Sequence, residues 1–254
     1  MKTGNTVWRH LSPLLAILFW VGVWWVIALL VGKPLLLPSP PAVLSALGRL
    51  LTTAAFWQSI GATLLRVTAG LSAALLLGVL LAILSDANRY AHDLISPLMG
   101  VLKSTPVVSV IFLFLIFLGK GIVPITVSFA MALPIVWSTV LSTLGEDGAE
   151  LAEMATVFGV PKGKQFLTLK LPLVLKSTAT ACRSAVGLGL RAGVAAEVLS
   201  LPKNAIGTAI FEANELLLPP ELFAYTLTVI LLGALLEWLL LLLFPTDKSC
   251  EVTR

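Results

Sequence analysis

Residues 145–172 read GEDGAELAEMATVFGVPKGKQFLTLKLP, the longest polar break in a chain that is otherwise apolar over long stretches. Inside that break the apolar residues keep a helical spacing. Leu151, Met154, Ala155 and Phe158 follow i, i+3, i+4, i+7, which puts them on one face of a helix. Glu146, Asp147 and Glu150 stand at its start, where negative charge suits the positive end of the helix dipole. Gly159 can end the helix, and Pro161 just beyond it cannot continue one. About ten helical residues make a rod of ~15 Å. A second short helix is expected over 162–169, with Pro172 leading into the apolar run that follows. On pattern alone two readings stand side by side: an interfacial helix lying on a membrane, and a short rod that docks on a partner.

The flanks of this break decide the solvent. Of 254 residues, 58% are hydrophobic and 12% charged, and the mean hydropathy is +1.00. A soluble domain carries about 25% charged residues, so this chain lacks the polar groups to cover a surface in water. That excludes an ordinary cytosolic enzyme, a disordered protein and a nucleic-acid binder. A bilayer core of about 30 Å takes about 20 helical residues to cross. Six stretches qualify: 11–31, 58–84, 94–118, 121–144, 173–199 and 222–244. The expected fold is an all-α integral membrane protein, with residues 1–254 as one transmembrane domain. The first stretch is too long for a signal-peptide core, and Gly32-Lys33-Pro34 is not a small-residue cleavage site, so it reads as a retained helix. Gly119-Lys120-Gly121 reads as a tight turn between the third and fourth spans.

Lys and Arg orient such a chain. Six spans put both termini on one side, with Lys2, Arg9, Arg89, Lys162, Lys164, Lys170, Lys176, Lys248 and Arg254. Lys33, Arg49, Lys120 and Lys203 fall on the other. The nine-to-four split predicts cytoplasmic termini and a cytoplasmic 145–172 segment, with 33–57 and 200–221 outside. The net charge of +4 is therefore an orientation signal, not a nucleic-acid footprint. Cys182 and Cys250 are too few and too far apart for a disulfide framework and read as free thiols. Two spans carry small residues every four positions: Gly70, Ala74, Gly78 and Ala82 in the second, and Ala181, Ala185, Gly189 and Gly193 in the fifth. Such stripes let helix backbones approach closely in lipid. They serve either compact bundle packing or a moving, subunit-facing surface.

The residues of the polar break carry a more specific signal. Glu153-Met154-Ala155, three residues, Gly159, nine residues, then Leu169-Lys170-Leu171-Pro172 resembles the "EAA" signature of bacterial ABC-importer permeases. Glu153, Ala155, Gly159, Leu171 and Pro172 match it, while Met154 and Leu169 replace the middle alanine and the isoleucine. Further stretches resemble permeases of the nitrate, sulfonate, taurine and bicarbonate type. These are Leu37-Pro38-Ser39-Pro40, Thr63-Leu64-Leu65-Arg66-Val67 with Gly70, Leu102-Lys103-Ser104-Thr105-Pro106, and Ala195-Ala196-Glu197 with Gly207. The family's G-x-G reads here as Gly207-Thr208-Ala209. The likeness covers residues 35–244.

The resemblance implies a type I ABC-importer permease bundle in the bacterial inner membrane, multi-pass, with 145–172 as its coupling segment. Leu151, Glu153, Ala155, Phe158, Gly159, Leu171 and Pro172 are then the ATPase-coupling residues. It also implies two cytoplasmic ABC ATPase subunits holding ATP and Mg, a second permease copy forming a homodimer, and an external substrate-binding protein. This chain itself needs no cofactor. Nitrate, an alkyl sulfonate, taurine, bicarbonate or an aromatic vitamin precursor all suit the subfamily as cargo. Glu212, Glu215 and Glu221 are candidate contacts for the binding protein, or simply a solvated face.

Charges inside spans are costly and are either functional or paired. Arg66 and Lys103 stand close enough to span ends to snorkel. Arg183 and Arg191 lie deeper, about 15 and 27 Å along the fifth span, and point roughly 80° apart. With Glu197 they are candidates for a translocation path, or for structural pairing with Glu197 or Glu237. Enzyme chemistry has little support. His10 and His92 lack metal-ligand spacing, and no G-x-x-x-x-G-K-[ST] or G-x-S-x-G occurs. The competing class, an ion-coupled secondary transporter acting alone, calls for paired intramembrane acids or inverted repeats, and neither is evident.

Overall fold

The computed structural model describes residues 5–145 and 147–243. Lys2, Glu146, Phe244, Lys248, Cys250 and Arg254 lie outside the described residues. In chain order the helices are α1 (Asn5–Val31), α2 (Pro40–Leu51), α3 (Ala54–Ala87), α4 (Arg89–Ser104), α5 (Val107–Phe117), α6 (Val123–Gly145), α7 (Asp147–Val157), α8 (Lys162–Gln165), α9 (Leu171–Ser200), α10 (Ile206–Glu215) and α11 (Pro219–Leu243). Among the described residues there is no strand.

The two small-residue stripes build the core. α6 lies between α3 and α9 and packs along both. A methyl group at Gly70 would run into the Ile125 carbonyl, and one at Gly78 would sit 2.8 Å from Val136. At Gly193 it would meet Ser128 Oγ at 2.5 Å, and at Gly189 it would meet Leu71 at 2.8 Å. Ala74, Ala82, Ala181 and Ala185 are fully covered in the same seam. Both stripes are therefore spent on close backbone approach within this one chain. The contacts also fix direction. Gly70 meets Ile125 and Gly78 meets Val136, so α3 and α6 run parallel, whereas Gly193 faces Pro124 and α9 runs against α6. Two buried polar links pin the seam: Trp137 Nε1 donates to Ser85 Oγ at 3.1 Å, and Ser128 Oγ donates to the Gly189 carbonyl at 3.0 Å.

The outside is apolar instead. Leu18, Phe19 and Trp20 of α1, Ile116 and Phe117 of α5, and Leu231, Trp238 and Leu242 of α11 are all exposed. Continuous apolar surface of this extent suits lipid, not water. By length and composition α3, α6 and α11 can each cross a membrane alone, and α4 with α5 can do so as a bent pair. The apolar stretch Leu15–Val31 of α1 is shorter, and α9, diluted by Lys, Arg, Ser, Thr and Gly, falls below that apolar standard. Each of the six expected spans overlaps helix, and by length and composition three helices, or four spans when the bent pair counts as one, meet the criterion among the described residues.

Several boundaries differ from expectation. The third span, 94–118, is not one rod, because α4 and α5 meet at 105°. The break falls at Thr105-Pro106, where the proline ring pushes the preceding residue out of the helical region; Thr105 has φ −76° and ψ 128°. Segments 33–57 and 200–221 hold α2 and α10. α2 starts on Pro40, whose fixed φ suits a first helical turn, and packs Val43 and Ala46 against Ala224 of α11. The helix expected over 162–169 also does not end before the fifth span. α8 passes through a wider turn, Phe166–Lys170, straight into α9. Pro172 has no N–H to give back, and the bond from Leu171 N–H to the Phe166 carbonyl, five residues back, marks the widened turn beside it.

Candidate functional site

α7 is the rod that the polar break predicts, and its end is built as anticipated. Gly159 stands at φ +69° with open space around its Cα, so glycine is needed there for conformation and not for room. Its N–H bonds the Thr156 carbonyl and Val160 N–H bonds the Ala155 carbonyl, both at 3.0 Å. This pair of bonds is the Schellman arrangement that closes a helix C-terminus.

The apolar stripe of α7 divides in two. Ala155 is 8% exposed and Leu151 is half-buried, whereas Met154, Val157 and Phe158 are 55%, 85% and 80% exposed. The rod is thus covered at Ala155 and partly at Leu151, and presents Met154, Val157 and Phe158 outward. Glu153 is exposed, Leu171 is half-buried at the first turn of α9, and Pro172 is exposed.

Sequence reasoning missed what holds this corner. Gln165 is buried and donates from Nε2 to the Val160 carbonyl at 2.7 Å and to Thr156 Oγ1 at 3.3 Å, tying α8 to the end of α7. Lys170 Nζ reaches Asp86 Oδ2 at 2.6 Å, tying the turn before α9 to the last turn of α3. A groove of about 780 Å³ opens between them, lined by Asp86, Glu153, Gln165 and Lys170 among others. The pairing spans 84 positions of sequence. The available signal was an acid ending an apolar run and a lysine closing the polar break.

At the other end of the bundle Glu197 is 0% exposed and has its carboxylate fully engaged. Thr63 Oγ1 donates to it at 2.8 Å, Arg66 Nη1 at 3.0 Å and Gly207 N–H at 3.2 Å. Thr63 Oγ1 also accepts the Ile206 N–H at 3.0 Å, and Arg66 Nη2 donates to the Lys203 carbonyl at 2.7 Å. Arg66 therefore does not snorkel; it turns inward to a buried partner. A buried carboxylate persists only when so paired. Gly207 is required by closeness, because a side chain there would strike Glu197 and the Val198 backbone. Glu197 consequently ties α3, α9 and the first turn of α10 together and is sealed from solvent. Glu212 lines a shallow cleft with Lys203 and Thr208, and Glu221 lies 3.9 Å from Arg49 in an exposed pair.

Arg183 and Arg191 are not partners of Glu197. Although two turns apart, they flank one open groove of about 460 Å³ with Ser184, Gly187, Leu188, Glu237 and Leu241. The groove lies along α9 where α11 crosses it, and Gly187 marks its middle.

Residues 74–246 match the family model described as binding-protein-dependent transport system inner membrane component. The formylaminopyrimidine transport permease protein of Halalkalibacterium halodurans is 28% identical over 186 residues, 72% of this chain and 73% of that protein. The taurine transport system permease protein of Escherichia coli is 25% identical over 226 residues, 85% and 80% of the two chains. The nitrate import permease protein of Synechocystis is 27% identical over 241 residues, 90% and 86%.

Proposed function

Because the chain belongs to the family of binding-protein-dependent transport system inner membrane components, and so to the permease subunits of ABC importers, we propose that it works as one half of a homodimeric import path driven by two cytoplasmic ATPase subunits. An external binding protein delivers the solute, a small organic or inorganic anion such as a sulfonate or nitrate. ATP and Mg act on the ATPase subunits, and this chain makes and breaks no covalent bond. Both termini face the cytoplasm on the charge count above.

The observation that carries this reading is the divided stripe of α7. A rod seated through Ala155 and the Gln165 corner, with Met154, Val157 and Phe158 outward, is shaped to enter a cleft on another protein. Glu153 beside it is available to a basic group of that partner. When the ATPase pair closes, force on α7 passes through the Asp86–Lys170 tie to α3 and along the continuous helix to α9. These are the helices that sandwich α6, so the bundle re-aims as a body, which is the alternating-access step. Arg183 and Arg191 lie on the path, and Glu197 braces its outer end.

Purification from the native membrane tests this. Recovery of an ATPase with the wild-type chain, its loss on Phe158→Ala, and uptake that stops on ATP depletion are expected. Uptake that survives ATP depletion, with no ATPase recovered, would instead establish an ion-coupled transporter acting alone.

A further inference from the structure

The groove along α9 holds three formal charges that satisfy none of one another. Among the described residues Arg183, Arg191 and Glu237 form no ion pair, and Arg183 Nε is buried without a hydrogen-bond partner. Position makes this informative. α9 runs from Leu171 to Ser200, so Gly187 lies close to its midpoint, ~24 Å from its start. A charge at such depth facing lipid is costly, and neither helix end is near enough for Gly187's neighbours to escape. Unpaired among the described residues of this chain, these groups therefore face a wet space, a ligand or the second copy.

Gly187 sets the shape of the groove. A Cβ there would stand 2.8 Å from Glu237 Oε1 and 3.6 Å from Arg191 Nη2. The carboxylate and the guanidinium thus converge on the bare backbone of one residue, separated by no more than the sum of those distances, yet they do not close into an ion pair. Arg183 approaches from the turn on the other side of Gly187. Ser184 spends its hydroxyl hydrogen on the Thr180 carbonyl and offers its oxygen as an acceptor, while Leu188 supplies an apolar wall. The volume of about 460 Å³ lies within the range of small-molecule sites.

We propose that Arg183, Arg191, Gly187 and Glu237 form a binding site for a small zwitterion, a solute with an anionic group and an amine a few bonds apart. This rests on the importer reading above and narrows its solute to an organic anion that also carries an amine, setting aside a bare oxyanion such as nitrate. Guanidinium forks match the oxygens of a carboxylate or sulfonate, and Glu237 matches an ammonium. A bare oxyanion meets the same two guanidiniums but also the repulsion of Glu237. The zwitterion uses all three charges, and its short carbon chain lies against Leu188.

The test uses the purified permease, with any ATPase that co-purifies and without its binding protein. Three probes are titrated, with thermal stabilisation read as apparent affinity: β-alanine, propionate, which lacks the amine, and ethylammonium, which lacks the carboxylate. β-Alanine is expected to bind at least about tenfold more tightly than propionate, the worth of one charge-assisted hydrogen bond. Glu237→Gln, nearly isosteric, is expected to erase that difference and leave propionate no weaker. Gly187→Leu is expected to fill the groove and abolish binding of all three.

Propionate binding as tightly as β-alanine, no saturable response to any probe, or an amine preference that survives Glu237→Gln overturns the proposal. So does one further result: Arg191→Glu and Glu237→Arg each breaking the homodimer while their combination restores it. That would show the charges pairing between copies. Loss of the ATPase from wild-type preparations, with uptake surviving ATP depletion, strikes the importer reading alone and leaves the probe comparison standing.

Discussion

Removing Arg66 strands the most deeply enclosed charge described in this protein. Arg66→Met keeps length and apolar bulk but deletes the guanidinium that lies 3.0 Å from Glu197 Oε1 and the bond to the Lys203 carbonyl. Breaking one side of a buried ion pair costs about 3–5 kcal/mol, because the remaining charge stays buried without its partner. Two features favour the lower end of that range. Thr63 and the Gly207 N–H still donate to the carboxylate, and the Arg66 side chain is itself 17% exposed. About 3 kcal/mol is the expected loss. Neutralising the acid as well, in Arg66→Met with Glu197→Gln, removes the stranded charge and returns part of it. The two single costs should therefore exceed the double by about 1–3 kcal/mol, the coupling typical of groups in one network. Reversible SDS unfolding of the permease in mixed micelles, run on all four members of the cycle, measures this directly. Stability of Arg66→Met within about 0.5 kcal/mol of wild type, or strict additivity of the two substitutions, would refute the reasoning and return Arg66 to the snorkelling role suggested by its place in the sequence.

Other outcomes follow from the same geometry. Thr63→Val removes a donor to Glu197 and the acceptor of the Ile206 N–H, so it should cost about 1–3 kcal/mol in the same unfolding assay. Gly193→Leu has no room against Ser128 and Val67 and should force α6 and α9 apart, with a loss of about 1–3 kcal/mol and lower yield of folded protein. Gly159→Ala should leave the bundle intact but strain the left-handed end of α7 by about 1–3 kcal/mol, read as reduced ATPase recovery at unchanged unfolding midpoint. Asp86→Lys or Lys170→Asp should each weaken the corner beneath α7, and the charge-swapped double should restore ATP-driven uptake.

Local signals were readable wherever the physics was local. The end of α7 at Gly159 was legible because a left-handed residue after a periodic run favours glycine, whatever surrounds it. The break at Thr105-Pro106 was equally local, yet hydropathy concealed it, since an apolar run scores the same whether straight or bent through 105°. α2 was missed because its dozen residues are too few for a span and too apolar for a loop. The apolar stripe of α7 was legible as a stripe, but its division was not. Whether Ala155 or Phe158 is covered depends on how the Gln165 corner sets the rod.

The solvent, the helical class and the one-sided helix inside the polar break follow from composition and spacing alone, because each depends on residues within about two helical turns. The stripes Gly70–Gly78 and Ala185–Gly193 could be seen in sequence, but that both close on α6 was decided by the tertiary structure. The same holds for the charges. Glu197 is separated from Arg66 by 131 positions and Lys170 from Asp86 by 84, and no periodicity crosses such distances. Arg183 and Arg191, which helical geometry alone sets 80° apart, face one groove only because α11 crosses α9 at Gly187 and brings Glu237 between them. A charge in lipid must find a partner or a wet space, and only the packing of helices says which it found.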